Sequence, residues 1–164
     1  MSVLPRVSPL TRELMSREFD DLGPAACVSE IVKDLQRNNP ELLHMASQWV
    51  NDLDDPDRVM TAFSMFYRLL TAELPEPRGG PGLSPLPRVS GDARIMIVER
   101  IDIEGADRFS MNALDDMDHS NPELLQMAHY FASDRADYAQ VMRGFALLYA
   151  TLQVQSGLDR LSAH

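Results

Sequence analysis

An internal repeat constrains the fold of this 164-residue chain more than any other feature, and each of its two copies corresponds to one half of the chain. NNPELLHMASQWVNDL begins at Asn38, and the similar stretch SNPELLQMAHYFASDR begins at Ser120. With an offset of 82 and no gap, the alignment pairs residues 39–70 with residues 121–152, and the two are identical at 14 of 32 positions. Unrelated segments of that length would share about two identical positions, so the similarity indicates an internal duplication. We therefore expect two copies of one structural unit.

The duplication extends to the start of each copy. The sequence LPRVS occupies residues 4–8 and returns at residues 86–90. The period exceeds the roughly 20 to 50 residues of solenoid repeats, so each copy should be an assembly of several elements. A unit of about 65 ordered residues is marginal alone, because it buries too small a fraction of its surface. We expect the two units to pack face to face about a pseudo-twofold axis, as in an isologous dimer.

The local signals within each copy are those of helices. Asn39 stands at a predicted N-cap, Pro40 at the first helical position and Glu41 in the first turn. Asp55 and Asp137 are the predicted caps of the following helix in the two copies. Apolar residues recur at helical spacing, which predicts these core stripes: Leu42, Ala46, Trp49, Val50 and Leu53; Val59, Phe63, Phe66, Tyr67, Leu70 and Leu74; and Val141, Phe145, Leu148, Tyr149 and Leu152.

The first helix of each copy is harder to predict. Ser8 and Pro9 indicate a capped helix that ends before Gly23, with Leu10, Leu14, Phe19 and Leu22 as its apolar residues. The matching segment in the second copy, residues 94–103, alternates like a strand. We predict a helix there as well, because a gapless repeat favours one structure for both copies. Short helices at residues 28–37 and 111–119 complete an all-α fold with roughly four helices per unit.

The chain divides at a segment rich in proline and glycine. We predict a first helical repeat over residues 1–74, a linker over residues 75–90 and a second helical repeat over residues 91–164. The GGPG of residues 79–82 is not a phosphate-binding loop, since no Lys-Ser or Lys-Thr follows it.

Composition restricts the class of function. The net charge is −10, with 8 basic and 13 acidic groups in residues 1–82 and 7 and 12 in residues 83–164, or −5 each. Direct nucleic-acid binding is disfavoured because it depends largely on basic patches, and acidic membranes are disfavoured for the same reason. The charge is typical of a soluble protein, or of an acidic mimic of nucleic acid that binds a basic partner.

Location is predicted from three features. No apolar stretch approaches the roughly 20 residues of a membrane span, and we expect no signal peptide. Cys27 is the single cysteine, so no intramolecular disulfide can form. We expect a cytoplasmic protein, and the use of arginine over lysine favours a bacterial source.

Few residues could support catalysis or bind a metal. Glu41 and His44 have the Glu-x-x-His spacing of di-iron helical bundles, but the second copy has Gln126 where an imidazole is needed. Cys27 has no His or Asn near it in sequence and is expected to be a small buried residue. We therefore predict no catalytic residues, no metal and no cofactor. The alternative is a metal or small-ligand protein, or an enzyme, with Glu41, His44 and Glu123 at a site between the copies.

The number and positions of the methionines also bear on function. Ten methionines are present, and Met45 and Met60 recur as Met127 and Met142. Methionine fills irregular gaps in cores and is also common on promiscuous binding surfaces. We expect a non-enzymatic interaction or regulatory protein, a monomer or weak homo-oligomer, whose protein partner binds an acidic, Met-rich surface. Buried packing of the same four methionines is the alternative.

Overall fold

The computed structural model describes Leu4 and residues 6–51, 56–72, 86–133 and 136–162, with residues 24, 49, 50, 56–58, 72, 160 and 162 described by their backbone alone. Within that part of the chain the protein is all-α, with eight helices and no strand. The helices are α1 Pro9–Leu22, α2 Pro24–Asn38, α3 Pro40–Asn51, α4 Pro56–Ala72, α5 Gly91–Glu104, α6 Ala106–Ser120, α7 Pro122–Ala132 and α8 Tyr138–Ser162. The starts of α1 to α4 match those of α5 to α8 at the offset of the sequence repeat.

The predicted start of α1 is confirmed, and α5 begins in the same way. Ser8 Oγ accepts a hydrogen bond from the Thr11 N–H at 3.1 Å, and Ser90 Oγ accepts one from the Ala93 N–H at 3.2 Å. These bonds satisfy N–H groups that the first turn of a helix cannot satisfy internally. The helix predicted over the strand-like residues 94–103 is also confirmed, because this segment lies within α5.

The turns after α1 and α5 are made by glycine. Gly23 has φ of 87° and Gly105 has φ of 88°, values that favour glycine over every other residue. Each glycine is the single residue between two helices, so α2 begins at Pro24 and α6 begins at Ala106. The short helices predicted at residues 28–37 and 111–119 are therefore too short. Their first turns lack a clear apolar stripe, which is why the sequence pattern placed their starts too late.

Helices α4 and α8 supply the largest buried side chains. Phe63, Phe66, Tyr67, Phe145 and Tyr149 are almost fully buried. The rings of Phe66 and Phe145 lie 5.0 Å apart between centroids, which joins α4 to α8 at the centre of the molecule. One large apolar core includes side chains from both halves of the described chain.

Most of the predicted stripe residues that can be assessed lie in this core. Every described member of the stripes on α4 and α8 is buried, as are Leu42 and Ala46 on α3. The residues of α1 differ: Phe19 is buried, whereas Leu10, Leu14 and Leu22 are exposed, because α1 packs through a narrower face than its composition suggests. Asp55, Leu53 and Leu74, and the side chains of Trp49 and Val50, lie outside what the structure describes.

A second, smaller apolar cluster lies between α5, α6 and α8. It contains Ile97, Phe109, Ala113, Ala146 and Ala150. Among the described helices, none has the combination of length and apolar content that crossing a bilayer requires.

Candidate functional site

Two buried asparagines hold the segments that precede α1 and α5. Asn39 accepts a hydrogen bond from the Val89 N–H through Oδ1 at 2.9 Å and donates through Nδ2 to the Pro87 carbonyl at 2.8 Å. Asn121 Oδ1 accepts from the Val7 N–H, also at 2.9 Å. Both asparagines immediately precede a helix, as predicted for Asn39. Their side chains nevertheless bind a distant segment, and that of Asn121 makes no capping bond to α7.

The same two places carry ion pairs between the halves. Arg94 Nη1 lies 2.7 Å from Glu41 Oε2, and Arg12 Nη1 lies 3.3 Å from Glu123 Oε2. Residues 86–90, at the end of the predicted linker, are held here by the buried side chains of Leu86 and Val89. We call the two sets of contacts, around Asn39 and around Asn121, the asparagine junctions.

The junctions also account for the residues of the alternative metal site. Glu41 and Glu123 each bind an arginine, and His44 is exposed. The described residues contain no group of three or more His, Cys, Asp or Glu side chains arranged to hold a metal ion.

The four methionines of the predicted partner-binding surface contribute mainly to the core. Met45, Met127 and Met142 are buried, and Met60 is partly buried against the same core. Their burial agrees with the packing alternative. Met142 alone also lines an open groove between α6 and the start of α8.

An exposed apolar surface lies instead on α5. Ile95, Met96, Val98 and Ile103 are 58%, 44%, 57% and 85% exposed, and we call these four residues the α5 outer face. The opposite side of α5 is also apolar, since Ala93 and Ile97 are buried. A surface helix normally has one apolar face and one polar face. The alternation that resembled a strand in the sequence arises because large apolar residues occur on both sides of α5, among charged ones.

The matching positions of α1 are mostly polar. The residues of α1 that align with the α5 outer face in the repeat are Glu13, Leu14, Ser16 and Asp21. Beside Ile95 and Val98, an open groove of about 400 Å³ follows α5 and is bordered by Arg94 and Glu99. Ile95, Val98 and Ile103 therefore have polar counterparts in the first half, although α1 exposes Leu10, Leu14 and Leu22.

A different feature, in the first half, is a partly polar cavity among α1, α2 and α4. Its volume is about 180 Å³, and we call it the α1–α2–α4 cavity. The residues that line it are Glu18 and Phe19 from α1, Cys27, Glu30, Ile31 and Asp34 from α2, and Tyr67, Arg68 and Thr71 from α4.

Hydrogen bonds fix several of the groups around the cavity. The Tyr67 hydroxyl donates to Asp34 Oδ2 at 3.3 Å, and Asn38 Nδ2 donates to Asp34 Oδ1 at 2.6 Å. Burial, and next the charges of Glu18 and Glu30, raise the pKa of the Cys27 thiol above its ordinary value. Cys27 is thus buried, as expected, and its thiol is kept protonated rather than activated as a nucleophile.

The second half has an apolar cluster at the matching positions. Cys27, Ile31 and Arg68 correspond in the repeat to Phe109, Ala113 and Ala150, which pack together in the smaller cluster. The sequence repeat contains a sign of this difference, because a bulky Phe109 stands at the position of the small Cys27. The cavity itself depends on three helices that approach one another only in the fold, so no local pattern indicates it.

Comparisons of the chain with protein-family models, with curated proteins and with solved structures found no match.

Proposed function

We propose that this chain is a non-enzymatic protein-binding module made of two fused copies of one helical unit, and that its partner binds the α5 outer face. The exposure of Ile95, Val98 and Ile103 on a helix that is already apolar on its buried side carries this proposal. Four large exposed apolar residues on one helix differ from the single scattered ones of an ordinary surface, and such concentrations are typical of protein interaction sites.

The reciprocal asparagine junctions support the duplicated architecture. Val7 contacts Asn121 of the other half, and Val89, the counterpart of Val7 in the repeat, contacts Asn39. The ion pairs have the same reciprocal pattern: Arg12 pairs with Glu123 of the other half, and Arg94 pairs with Glu41. In an isologous interface, residue i contacts residue j of the partner while j contacts i, and the two junctions have this pattern. A pseudo-twofold arrangement of two units that once formed a homodimer explains them.

Divergence between the copies supports a role for the α5 outer face. Glu13, Ser16 and Asp21 of α1 are the polar residues that a surface helix normally presents to water. Their counterparts Ile95, Val98 and Ile103 gain nothing from exposure to water, whereas covering each of them would contribute up to roughly 1.5–3 kcal/mol. A partner that covers the α5 outer face would explain why apolar residues stand at these three positions in the second half.

The charge of the molecule indicates what the partner should look like. The charged residues of α5 are Asp92, Glu99, Asp102 and Glu104 against Arg94 and Arg100, and the whole chain has a net charge of −10. An amphipathic helix with an apolar face and basic flanks would complement both properties. Such a partner also accommodates the acidic-mimic alternative, because proteins that bind nucleic acid present basic surfaces. We propose that the chain itself is a monomer or weak homo-oligomer.

The test replaces three residues of the α5 outer face by the polar residues found at the matching positions of α1. The triple variant Ile95→Glu, Val98→Ser and Ile103→Asp should keep its helical circular dichroism, because all three side chains point away from the core. Immobilised parent protein should retain a partner from an extract of the source organism at near-stoichiometric amounts, and the triple variant should lose it. A matched control, Leu14→Ser on α1, should retain it. Equal retention by the parent and the triple variant would contradict the proposal.

A further inference from the structure

Two carboxylates continue the apolar line of the α5 outer face towards the end of the helix. Ile95, Val98 and Asp102 follow one another at helical spacing, so they lie along one side of α5. Glu99 stands one turn after Ile95 and one turn before Asp102 on the same side. All four side chains are exposed. The side of α5 that is apolar near its start is therefore acidic near its end.

These two carboxylates have no cation paired with them among the described residues. Within that part of the chain, neither Glu99 nor Asp102 takes part in an ion pair or a hydrogen bond. Arg94 is already paired with Glu41, at 2.7 Å between Nη1 and Oε2. Arg100 is one residue from Glu99 and two from Asp102, and residues at those separations do not face each other on a helix. The negative charge on this side of α5 is thus uncompensated.

The first half has an ion pair at the matching place. Glu13 and Arg17 are one turn apart on α1, and Arg17 Nη2 lies 2.7 Å from Glu13 Oε1. Their counterparts in the repeat are Ile95 and Glu99. The second half therefore has an exposed apolar residue and an unpaired carboxylate where the first half has an acid and a base that neutralise each other. Apolar surface and excess negative charge arise together at this place on α5.

The end of α5 adds to the negative potential. The C-terminus of a helix carries a partial negative charge, so a basic residue in the last turn is favourable. The last turn of α5 contains no basic residue and includes Asp102 and Glu104. Between them, Ile103 is 85% exposed, and the aliphatic stem of a lysine or arginine could cover it. A basic side chain from a partner would therefore find both apolar contact and negative potential at this end.

We infer that Glu99 and Asp102 bind a lysine or arginine of the partner, while apolar residues of the same partner segment cover Ile95 and Val98. This inference rests on the proposed function and adds the position of the basic residue, which lies at the C-terminal end of α5. Seven residues separate Ile95 from Asp102, or about 10 Å along the helix axis. The occupant is thus an amphipathic helix whose basic residue stands about two turns from its apolar residues.

Three synthetic peptides serve as probes. They share one amphipathic helical sequence with leucines on one face, and they differ only two turns further along that face, where they carry lysine, glutamine or glutamate. Amide chemical shifts of the ¹⁵N-labelled full chain are followed during titration at constant ionic strength. We expect shifts concentrated on α5, with the lysine peptide binding about threefold to tenfold more tightly than the glutamine peptide and the glutamate peptide binding most weakly. Equal affinities for the lysine and glutamine peptides, or no binding of the lysine peptide, would overturn the inference.

A double variant locates the charge effect. Glu99→Gln with Asp102→Asn removes both charges from exposed side chains, so the fold should be kept. This variant should bind the lysine peptide about threefold to tenfold more weakly than the parent does, and the glutamine peptide equally well. Asp20→Asn, the matched change on α1, should leave both affinities unchanged. An unchanged affinity of the double variant for the lysine peptide would contradict the inference.

The glutamine peptide separates this inference from the proposed function, because it can bind the α5 outer face only through apolar contacts. The triple variant Ile95→Glu, Val98→Ser and Ile103→Asp should lose it. If the triple variant loses it but the parent does not prefer the lysine peptide, the proposed function stands and the inference fails. If the triple variant binds the peptides as tightly as the parent does, the proposed function fails and the inference fails with it.

Discussion

Gly23 and Gly105 adopt a backbone conformation that hardly any other residue tolerates. Their φ values of 87° and 88° are combined with ψ values of 141° and 146°, close to a region occupied almost only by glycine. A Cβ built on either residue meets no atom within 4 Å, so a substitution would be strained by its backbone alone. The two glycines therefore test conformational strain without any contribution from steric overlap.

We predict that Gly23→Ala and Gly105→Ala each lower the free energy of unfolding by about 1–3 kcal/mol. Gly157→Ala is the matched control, because Gly157 lies within α8 and a Cβ there also meets open space. That control should stabilise the protein by up to about 1 kcal/mol, since alanine favours helices. Urea unfolding measures all three variants. A neutral effect at Gly23 and Gly105 would mean that the turns relax at little cost.

Cys27 predicts a specific dependence of stability on pH. Its pKa is raised in the folded protein by burial and by the neighbouring Glu18 and Glu30. The folded state therefore holds the thiol proton more tightly than the unfolded state does, so the stabilisation is complete below the ordinary thiol pKa. It is lost as the pH rises through the higher pKa of the folded state.

Unfolding of the parent and of Cys27→Ala at a series of pH values between 7 and 10 isolates this effect. We expect the stability of the parent, relative to the variant, to decline towards the upper end of the series. Other titrating groups are common to both proteins and cancel in the difference. A constant difference across the series would show that the thiol has the same pKa in both states.

At the scale of the element, the junction asparagines connect each helix start to a distant segment. Asn39 and Asn121 are fully buried, and each accepts a hydrogen bond from the backbone N–H of a buried valine. Removing the acceptor leaves that N–H buried without a partner, which costs about 1–3 kcal/mol. Alanine also removes the remaining amide contacts.

We therefore predict that Asn39→Ala and Asn121→Ala each destabilise the protein by at least about 1–3 kcal/mol. Amide hydrogen exchange should show which segment loses protection in each variant. The amide of Val89 should lose protection in Asn39→Ala, and that of Val7 in Asn121→Ala, while the opposite junction stays protected. Loss of protection within α3 or α7 alone would instead indicate a local capping role for the asparagines.

The central helices α4 and α8 are expected to respond most strongly to truncation. Phe63 and Phe145 occupy matching positions and are 1% and 0% exposed. Truncation of a buried phenylalanine to alanine typically costs about 3–5 kcal/mol, so we predict that loss for Phe63→Ala and for Phe145→Ala. Thermal or urea unfolding provides the measurement. A loss below about 1 kcal/mol in either variant would mean that its ring is not held by the core.

The elements that the sequence predicted well are those with local signals. Ser8 with Pro9, and Asn39 with Pro40, predicted helix starts that the structure confirms. The Ser8 side chain caps its helix within one turn, whereas the start at Pro40 follows from proline at the first helical position. The helical assignment of α5 needed the repeat, since its own pattern resembled a strand. The partner of the Asn39 side chain could not be predicted, because Val89 is 50 residues away and nothing local identifies it.

The candidate sites were harder to predict than the helices. Met45 and Met127 are buried because of how the helices pack, and the sequence alone could not distinguish a buried position from a surface position for them. In the sequence, the residues of the α5 outer face contributed only to an alternation like that of a strand. Their exposure follows from the packing of Ala93 and Ile97 on the other side of the helix. The cavity required the approach of three helices.

At the scale of the whole molecule, the two halves share one core. Phe66 from the first half contacts Phe145 from the second, and both asparagine junctions cross between the halves. We propose that this arrangement is a fused pseudo-dimer whose two units need each other to fold. The predicted boundaries of its repeats, residues 1–74 and 91–164, remain predictions.

The most direct test of that claim is to divide the chain into residues 1–82 and 83–164, which keeps one LPRVS segment in each fragment. Analytical ultracentrifugation of the mixed fragments should show a helical 1:1 complex of the mass of the intact chain, 18.4 kDa. Asn39→Ala in the first fragment should weaken this association. Two fragments that fold separately as monomers, or that remain separate when mixed, would contradict the account of a single core shared by two fused units.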